Sequence, residues 1–323
     1  MKRYRKTERG GGLFSAIEHE QAVAAKSTGI LKLRDLIPWE SFRPQLEELT
    51  GYATRDWQKG GKPPFDPVLM FKVLVLQKFH GLSDDIPDAK TLWDFKQRIE
   101  QGGREGGRKL FDAFGQMIEG KGIVAREGSI VDASFVDAPR QRNEREQNQR
   151  IKKGERPGEF DQNPAVGRQK DSEARWTKKN NEVHYGWKNH VKADLKTKFI
   201  LNSTTTPASV HDSQVFEELL DDKDQAVLAD SAYHSAEHEA HLIKLNAQEF
   251  LMRKATRGHP LSQAEVQTNH TISRMRVRVE HIFARMAQMG ADLCRSIGLK
   301  RAAQHNHLSN LVYNMDRYAC LVG

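Results

Sequence analysis

The order of the elements expected along the chain indicates an α/β protein, with a small all-helical domain preceding one mixed sheet. Apolar residues recur at helical spacing up to residue 120, whereas short runs rich in Val, Ile and Phe begin after it. From residue 122 the expected order is three strands, a helix, a strand, a helix, a strand and a helix. An antiparallel group followed by alternating helices and strands is typical of one mixed sheet covered by helices. The predicted domains are therefore 1–120 and 121–323.

The first domain has clear signals for helix ends. Asp66 can cap a helix whose first position is Pro67, and Gly81 can end it. The interior of this helix is apolar almost all round, which is typical of a core helix. A second helix is expected to start at Thr91. Small helical domains often bind DNA through a helix-turn-helix and as often serve only for packing, so both interpretations stay open.

The second domain begins with strands and carries a long polar insertion. The segment 122–138 is expected to form a strand, a turn and a second strand. Residues 140–180 contain twelve Lys or Arg and seven Asp or Glu, and cannot bury enough apolar surface to fold alone. The insertion at 140–182 is therefore predicted to be a solvated loop or an arm that becomes ordered on DNA. The other expected elements are a hairpin at 184–193 and 198–205, helices at 213–220, 235–245, 273–289 and 302–321, and strands at 226–229 and 249–252.

The overall charge points to a polyanionic partner. Lys and Arg outnumber Asp and Glu by 51 to 43, which gives a net charge of +8, and nucleic acid is the usual partner of so basic a chain. A basic surface that only maintains solubility is the alternative. Two cysteines exclude a disulfide framework and a cysteine-based zinc site. No apolar stretch is long enough for a secretion signal or a membrane span, so a cytoplasmic, nucleoid-associated protein is expected.

Three acidic residues stand apart from the others because apolar residues flank them. Asp132 lies within a strand pattern, Asp230 follows the apolar run AVLA, and Glu280 lies beside apolar residues of an arginine-rich helix. Acids are seldom buried unless they are paired or bind a metal. Phosphodiester hydrolysis or transfer is promoted by two divalent cations about 3.5–4 Å apart, for which carboxylates are suitable ligands. A capping role for Asp230 and an Arg276–Glu280 pair within the helix are the alternatives.

Several basic and aromatic residues could contact DNA. Trp187 could stack on a base while Lys188 holds a phosphate, although an aromatic residue in a strand is more often part of the core. The arginines of the helix at 273–289 could meet the phosphates; they are Arg274, Arg276, Arg278 and Arg285. Contacts of this kind make binding strongly dependent on salt.

Five groups of short motifs, in order, resemble those of bacterial insertion-sequence transposases of the DDE type. They are PFDPVLMFKVLVLQKFHGLSD with IPDAKTLWDFKQRIE, GSIVDASFVDAPR, HYGWKNHVKAD with ASVHDSQVFEELL, VLADSAYHS and RVRVEHIFARM. The similarity covers nearly the whole chain and places it in the insertion-sequence-5 group. By this resemblance Asp132, Asp230 and Glu280 are the catalytic acids. The family's catalytic domain is ribonuclease-H-like, so the resemblance implies the same fold for 121–323.

The resemblance implies a metal-dependent DNA transposase. Water would cleave the phosphodiester at each element end, and the freed 3′-OH would attack target DNA without a covalent enzyme–DNA intermediate. Two Mg²⁺ ions per active site are implied, with Mn²⁺ as a substitute. The implied partners are double-stranded DNA, as terminal inverted repeats and as target, and at least one further copy of the chain; no membrane and no small-molecule substrate is expected. A nuclease that cuts without joining and a degenerate copy that only binds DNA are the alternatives.

The sequence departs from the family pattern in two places. Ser273 stands where the family has Tyr and Ala287 where it has Lys, whereas Arg276 and Glu280 fit. The motifs HGLSD and DIPDAKTLW follow each other directly, where the group has a further helical stretch. The first departure removes two residues that could help to position DNA. The second changes the domain that is expected to recognise it.

Overall fold

The computed structural model of the chain describes residues 28–56, 58, 63–82, 89–101, 105–179 and 181–323. The junction between the motifs HGLSD and DIPDAKTLW, at 83–88, lies outside these described residues. In chain order the helical region contains α1 (Thr28–Leu36), a short 3-10 helix (Trp39–Phe42), α2 (Arg43–Leu49), α3 (Pro67–Phe79), α4 (Ala89–Gln101) and α5 (Gly106–Gly120). None of the described helices is both long and apolar enough to cross a bilayer.

The cap predicted for α3 is confirmed. The carboxylate of Asp66 accepts hydrogen bonds from the backbone N–H groups of Val68 at 2.8 Å and Leu69 at 3.2 Å. Pro67 occupies the first helical position, where its missing N–H costs nothing. By contrast, α4 starts at Ala89, so Thr91 lies inside the helix and does not begin it.

The region after α5 contains the sheet and its helices. Its elements are β1 (Ser129–Asp137), α6 (Arg145–Lys152), α7 (Glu159–Gln162), α8 (Pro164–Gly167), β2 (Arg175–Lys179), β3 (Glu182–Asp194), β4 (Ile200–Pro207), a 3-10 helix (Asp212–Val215), α9 (Phe216–Leu219), β5 (Ala226–Ala229), α10 (Ala236–Lys244), β6 (Gln248–Leu251), α11 (Gln263–Gln288) and α12 (Leu299–Val322).

Two expectations for this region are wrong. The segment 122–138 contains one strand, because Gly122 and Arg126 adopt positive φ angles of 66° and 56°, which interrupt an extended chain. The polar insertion is not a plain loop, since it forms α6 to α8 and β2. Phe160 and Ile151 are buried within it and supply an apolar contact that its composition alone did not indicate.

The sheet order agrees with the ribonuclease-H-like fold that the resemblance implies. β3 pairs antiparallel with β1 on one edge and with β4 on the other, while β5 and β6 continue parallel to β1. β2 pairs with the first part of β3, and the change of partner from β2 to β4 occurs at Gly186. This residue has φ of 148°, and a Cβ there would lie 2.4 Å from the carbonyl oxygen of Val136. Only glycine therefore allows the close approach of β1 and β3 at this point.

Helices cover both faces of the sheet. The face that includes Val131 packs against α9 and α10, whereas the face that includes Ile130 packs against α11 and α12. The hydrophobic cluster on the face of Ile130 also includes residues of α1 to α5. One continuous core therefore lies on both sides of residue 120. Asparagines fix α12 on the sheet: Asn306 bonds Thr205, Asn310 bonds Asn189, and Asn314 bonds the backbone of Ile200.

Candidate active site

Asp132 lies in the middle of β1, opposite Val191 of β3. Its side chain is 18% exposed and faces α11. One carboxylate oxygen accepts a hydrogen bond from the backbone of Ala133 at 2.8 Å. The other accepts a hydrogen bond from Nη2 of Arg276 at 2.6 Å, a charge-assisted contact. The strand therefore presents this acid to a cation on the neighbouring helix.

Asp230 lies next to Asp132 because of the register between two parallel strands. Ile130 of β1 pairs with Leu228 of β5. Asp132 lies two residues after Ile130 and Asp230 two residues after Leu228, so the two aspartates occupy matching positions. Adjacent strands are about 4.8 Å apart, and residues two positions on share a face. Asp230 also accepts a hydrogen bond from the backbone of Ala232 at 2.8 Å, which holds the turn after β5. The sheet thus brings two of the three predicted acids together.

The electrostatic environment of Asp132 reflects both neighbours. Burial raises the pKa of its carboxyl above the usual value, and the charge of Asp230 adds to this rise. The guanidinium of Arg276 acts in the opposite direction and lowers that pKa. A pair of carboxylates in a partly desolvated position is held together more readily when a cation lies beside them.

Arg276 is the cation that the structure places at this position. Its side chain is 15% exposed, Nη1 lies 3.6 Å from the sulfur of Met252, and Nε is buried with no hydrogen-bond partner among the described residues. The alternative expectation of an Arg276–Glu280 pair is wrong, since the arginine bonds Asp132 instead. A buried donor without a partner is uncommon and indicates a position that another ligand can complete.

Glu280 lies on the same flank of α11 as Arg276, about 40° further round and one turn along the helix. It is exposed, and no hydrogen bond or ion pair of its carboxylate is found in the described part of the chain. The only group of three possible metal ligands within 4.8 Å of one another, among the described residues, is His234 with Glu239 and Glu249. The structure therefore brings Asp132 and Asp230 together, while Glu280 does not form a closed set of ligands with them.

The remaining arginines predicted to bind DNA lie on another flank of α11. Arg278 is about 200° round the helix from Arg276, and its Nη1 donates to the carbonyl oxygen of Leu195 at 2.7 Å. Arg285 pairs with Asp316 at 2.8 Å. Arg274 is exposed and lies on the side of Arg278. Only Arg276, of these four, faces the aspartates.

The expectation that Trp187 and Lys188 contact DNA is wrong. Trp187 is fully buried in a cluster with Val136 and Tyr185, because its position in β3 faces the core. Lys188 is also buried, and its Nζ donates to Asp212 at 2.8 Å and to a backbone carbonyl oxygen at 2.7 Å. Its charge is therefore neutralised inside the protein. The alternative interpretation of Trp187 as a core residue is confirmed.

Asp212 is the buried carboxylate at the start of the 3-10 helix that follows β4. It serves as the partner of Lys188, and the ring of His211 accepts the backbone N–H of Ser213. His190 lies beside this pair, with Nδ1 at 3.9 Å from the Asp212 carboxylate. Burial lowers the pKa of His190 to about 4, so this imidazole is neutral at physiological pH.

Tyr233 is a residue of the site that sequence reasoning did not select. It is fully buried three positions after Asp230, and its hydroxyl has no hydrogen-bond partner among the described residues. Burial, followed by the charges of the nearby carboxylates, raises its pKa well above the usual value. The only signal in the sequence was its place in the motif that carries Asp230.

Comparison with known families gives two matches. The family described as "Transposase DDE domain" matches residues 125–315, which include Asp132, Asp230 and Glu280. The family described as "Transposase domain (DUF772)" matches residues 18–86. No solved structure shows a significant match. Because the first match covers more than half of the chain, the chain belongs to the family of DDE-domain transposases, enzymes that cleave DNA strands and transfer them.

Proposed function

We propose that Asp132, Asp230 and Glu280 form the catalytic centre of a transposase of the insertion-sequence-5 group, with Mg²⁺ as the metal. The observation that carries this proposal is the pairing of Ile130 with Leu228, which puts two carboxylates side by side on adjacent parallel strands. Asp230 directly follows the carboxyl end of β5, and such ends are a common location of ligand sites in open sheets. Glu280 supplies the third carboxylate from α11.

The residues present fit a divalent cation. All candidate donors are carboxylate oxygens, which hard cations such as Mg²⁺ prefer. The guanidinium on Asp132 supplies positive charge at the position where a cation would be held. When bound, the metal would polarise the scissile phosphate and lower the pKa of the attacking water. Glu280 is the third proposed ligand because it lies one turn after Arg276 on α11 and its carboxylate has no partner in the described part of the chain.

Arg276 prepares the site for DNA. Its contact with Asp132 favours the ionised carboxylate in the DNA-free protein. Its Nε is buried without a partner among the described residues, so a small rotation of the side chain is needed before it can donate to a phosphate oxygen close to the acids. The arginine can therefore hold the scissile phosphate beside the carboxylates that act on it.

Two phosphoryl-transfer reactions follow at this site. In the first, water attacks the phosphorus at the element end, the bond to the 3′ oxygen breaks, and that oxygen leaves as a 3′-OH. In the second, the 3′-OH attacks a phosphodiester of target DNA and displaces another 3′ oxygen. Tyr233 is fully buried, which argues against its use as a covalent nucleophile. In each step one P–O bond forms as another breaks. The first step converts a phosphodiester into a 3′-OH and a 5′-phosphate, and the second exchanges one phosphodiester for another.

The partners of this reaction are the element ends and the target DNA. Two ends must be processed together, so we propose at least a dimer on DNA. We also propose that the helical part, up to about residue 120, contributes to DNA recognition, although its core is continuous with that of the rest of the chain. The match of residues 18–86 to a transposase domain supports this assignment of the helical part.

A strand-transfer assay tests the proposal. Linear DNA carrying the inverted repeats that flank the gene is incubated with the protein and Mg²⁺ or Mn²⁺, and the Asp230→Asn variant is the control. We expect joined product from the wild-type protein and none from the variant. Cut but unjoined ends would indicate a nuclease, and binding without cleavage in either metal would indicate a degenerate copy. Joined product from both proteins would contradict the assignment of Asp230.

A further inference from the structure

A second concentration of positive charge lies away from the aspartates, where the β3–β4 turn meets α11 and α12. We call it the outer basic face, and it consists of Lys196, Lys198, Arg274, Arg278 and Arg317. None of these residues contacts Asp132 or Asp230, and Arg278 is on a flank of α11 about 200° from Arg276. The catalytic site therefore does not account for it.

The positions of these cations are fixed by the fold. Arg278 donates to the carbonyl oxygen of Leu195 at 2.7 Å, and Arg317 donates through Nε to that of Thr197 at 2.7 Å. Nζ of Lys198 lies 3.2 Å from Nδ1 of His281. Each arginine thus uses one nitrogen on the turn and keeps other donors of its guanidinium for a ligand.

The charge of the outer basic face is poorly compensated. Glu127 pairs with Lys196 at 2.8 Å, but both side chains are more than 60% exposed, so the pair is weak. Asp194 forms its hydrogen bonds with the turn and has no ion pair with the cations, although its charge adds to the rise in the pKa of Lys196 that Glu127 causes. After burial, the charges of Arg317 and Arg278 are the causes that lower the pKa of Lys198. Cations that crowd one another in this way are stabilised by an added anion.

The shape of the surface suits an extended ligand. An open depression of about 630 Å³ lies between the turn and α11, lined by Glu127, Leu195, Lys196, Thr271, Arg274, Met275 and Arg278. Its cations lie along the rim, and Leu195 and Met275 supply apolar atoms. A polyanion with regularly spaced charges can contact several of these cations at once.

We propose that the outer basic face binds the phosphate backbone of a second segment of duplex DNA, distinct from the segment whose phosphate lies at Asp132. This inference rests on the proposed function only for the position of the first segment. An α-helix with its side chains is about 10–12 Å across, so α11 separates the two surfaces. A strand-transfer enzyme has to hold more than one DNA segment, and the outer basic face provides room for another.

A second copy of the chain is a less suitable occupant. The chain carries a net charge of +8, so a cationic face repels another copy unless an acidic surface meets it. The apolar part of the outer basic face is small compared with what a stable protein interface buries. The charge distribution therefore favours DNA.

The test uses the double variant Lys196→Gln/Arg274→Gln, which changes two exposed side chains of the outer basic face. Binding of a 40-bp fluorescent duplex (a length of about four helical turns) is measured by anisotropy over a range of salt concentrations in EDTA. Each lost phosphate contact lowers the salt slope by about 0.9, so we expect a decrease of about 2. The control variant Lys223→Gln/Lys244→Gln removes the same charge from exposed positions elsewhere and should leave the slope within error of wild type.

The number of duplexes bound separates this proposal from a simple loss of affinity. By titration to saturation we expect two short duplexes per protomer for wild type and one for the double variant. An unchanged slope, a single duplex on wild type, or a loss of both duplexes in the variant would overturn the proposal. A change in oligomeric mass of the DNA-free variant would also overturn it, in favour of a protein interface. If wild type fails to cleave with either metal while these binding results hold, the proposed function is wrong and this inference stands.

Discussion

Two buried ionic clusters on the same sheet differ in how completely their polar groups are paired. The first joins Lys192 of β3 to Asp224 at 2.7 Å and to Asp221 at 2.8 Å, while Ser129 donates to the other oxygen of Asp224 at 2.6 Å. Lys192 and the Asp224 side chain are fully buried. Every charged group of this cluster has a partner, so no further ligand is needed.

The second cluster, at Asp132, is incomplete. Arg276 makes one bond to the aspartate and leaves Nε without a partner, and the hydroxyl of Tyr233 has none among the described residues. Unpaired polar atoms in a buried position cost free energy, which a ligand can recover on binding. The difference agrees with a structural role for the complete cluster and with the catalytic role that we propose for the incomplete one.

The largest effect is expected from Asp132→Asn. Loss of a metal ligand removes about 4–6 kcal/mol of transition-state stabilisation, so cleavage should fall by about 10³–10⁴-fold. DNA affinity without metal should stay within a few-fold, and the free energy of unfolding should change by less than about 1 kcal/mol because the site is not a structural cluster. Cleavage assays, anisotropy and urea unfolding measure the three quantities. Normal cleavage would contradict the assignment.

Asp224→Ala should have the opposite profile. It leaves Lys192 as a buried charge with one remaining partner, which costs about 3–5 kcal/mol of unfolding free energy. The double variant Lys192→Met/Asp224→Ala should be less destabilised than the single variant, because it removes the unpaired charge. Urea unfolding at neutral pH gives both values. A single variant as stable as wild type would show that the complete cluster is not structural.

Acid should lower the stability of the protein through His190, a buried residue that is paired at only one of its two ring nitrogens. His190 bonds Thr206 through Nε2 at 2.8 Å, but its Nδ1 has no hydrogen-bond partner in the part of the chain that the structure describes. Burial lowers its pKa to about 4, below the value of about 6.5 in the unfolded chain, so the folded state favours the neutral ring. The stabilisation is full above pH 6.5 and is lost as the pH falls towards 4, by up to about 3 kcal/mol.

Unfolding free energies measured between pH 7 and 4 test this pH dependence. The unfolding free energy of His190→Gln should decrease less steeply with falling pH than that of wild type, because the variant takes up one proton fewer on unfolding. Burial also lowers the pKa of His307 to about 4, so part of the pH dependence of stability should remain in the variant. An identical slope in variant and wild type would show that His190 does not change its charge on unfolding.

The smallest effect concerns the cation at Asp132. Arg276→Gln removes a positive charge that competes with a metal for this carboxylate, so Mn²⁺ should bind the DNA-free protein more tightly, by about tenfold. Electron paramagnetic resonance of free Mn²⁺ measures this affinity. Arg278→Gln, two residues along but on another flank, is the matched control and should leave it unchanged. Weaker Mn²⁺ binding by Arg276→Gln would mean that the arginine supports the metal site and does not compete for it.

The sequence predicted local features better than long-range contacts. The cap at Asp66 and the strand at 226–229 depend on a few neighbouring residues, and both are found as expected. The start of α11 was placed at 273, although Ser262 and Glu265 form a capping box that the sequence displays ten residues earlier. This error was avoidable with local information.

The contact between Arg276 and Asp132 could not be predicted in the same way. It depends on how α11 crosses the sheet, which follows from tertiary packing of the residues on its buried face. The same applies to Trp187, since the strand pattern does not say which face of β3 a neighbouring helix covers. The motifs supply the three proposed acids, whereas the partners of these acids depend on the fold.

The packing of α12 has a consequence for how the chain can be divided. This helix is fixed on β3 and β4 by Asn306, Asn310 and Asn314, and its other side contacts α1, α3 and α5. A fragment that starts at residue 121 would expose the apolar side of α12 to water, as well as the residues of the sheet that share this core. We therefore expect such a fragment to aggregate. For the same reason, a chimera that takes its helical part from a related chain should fold only if α12 comes from that chain as well.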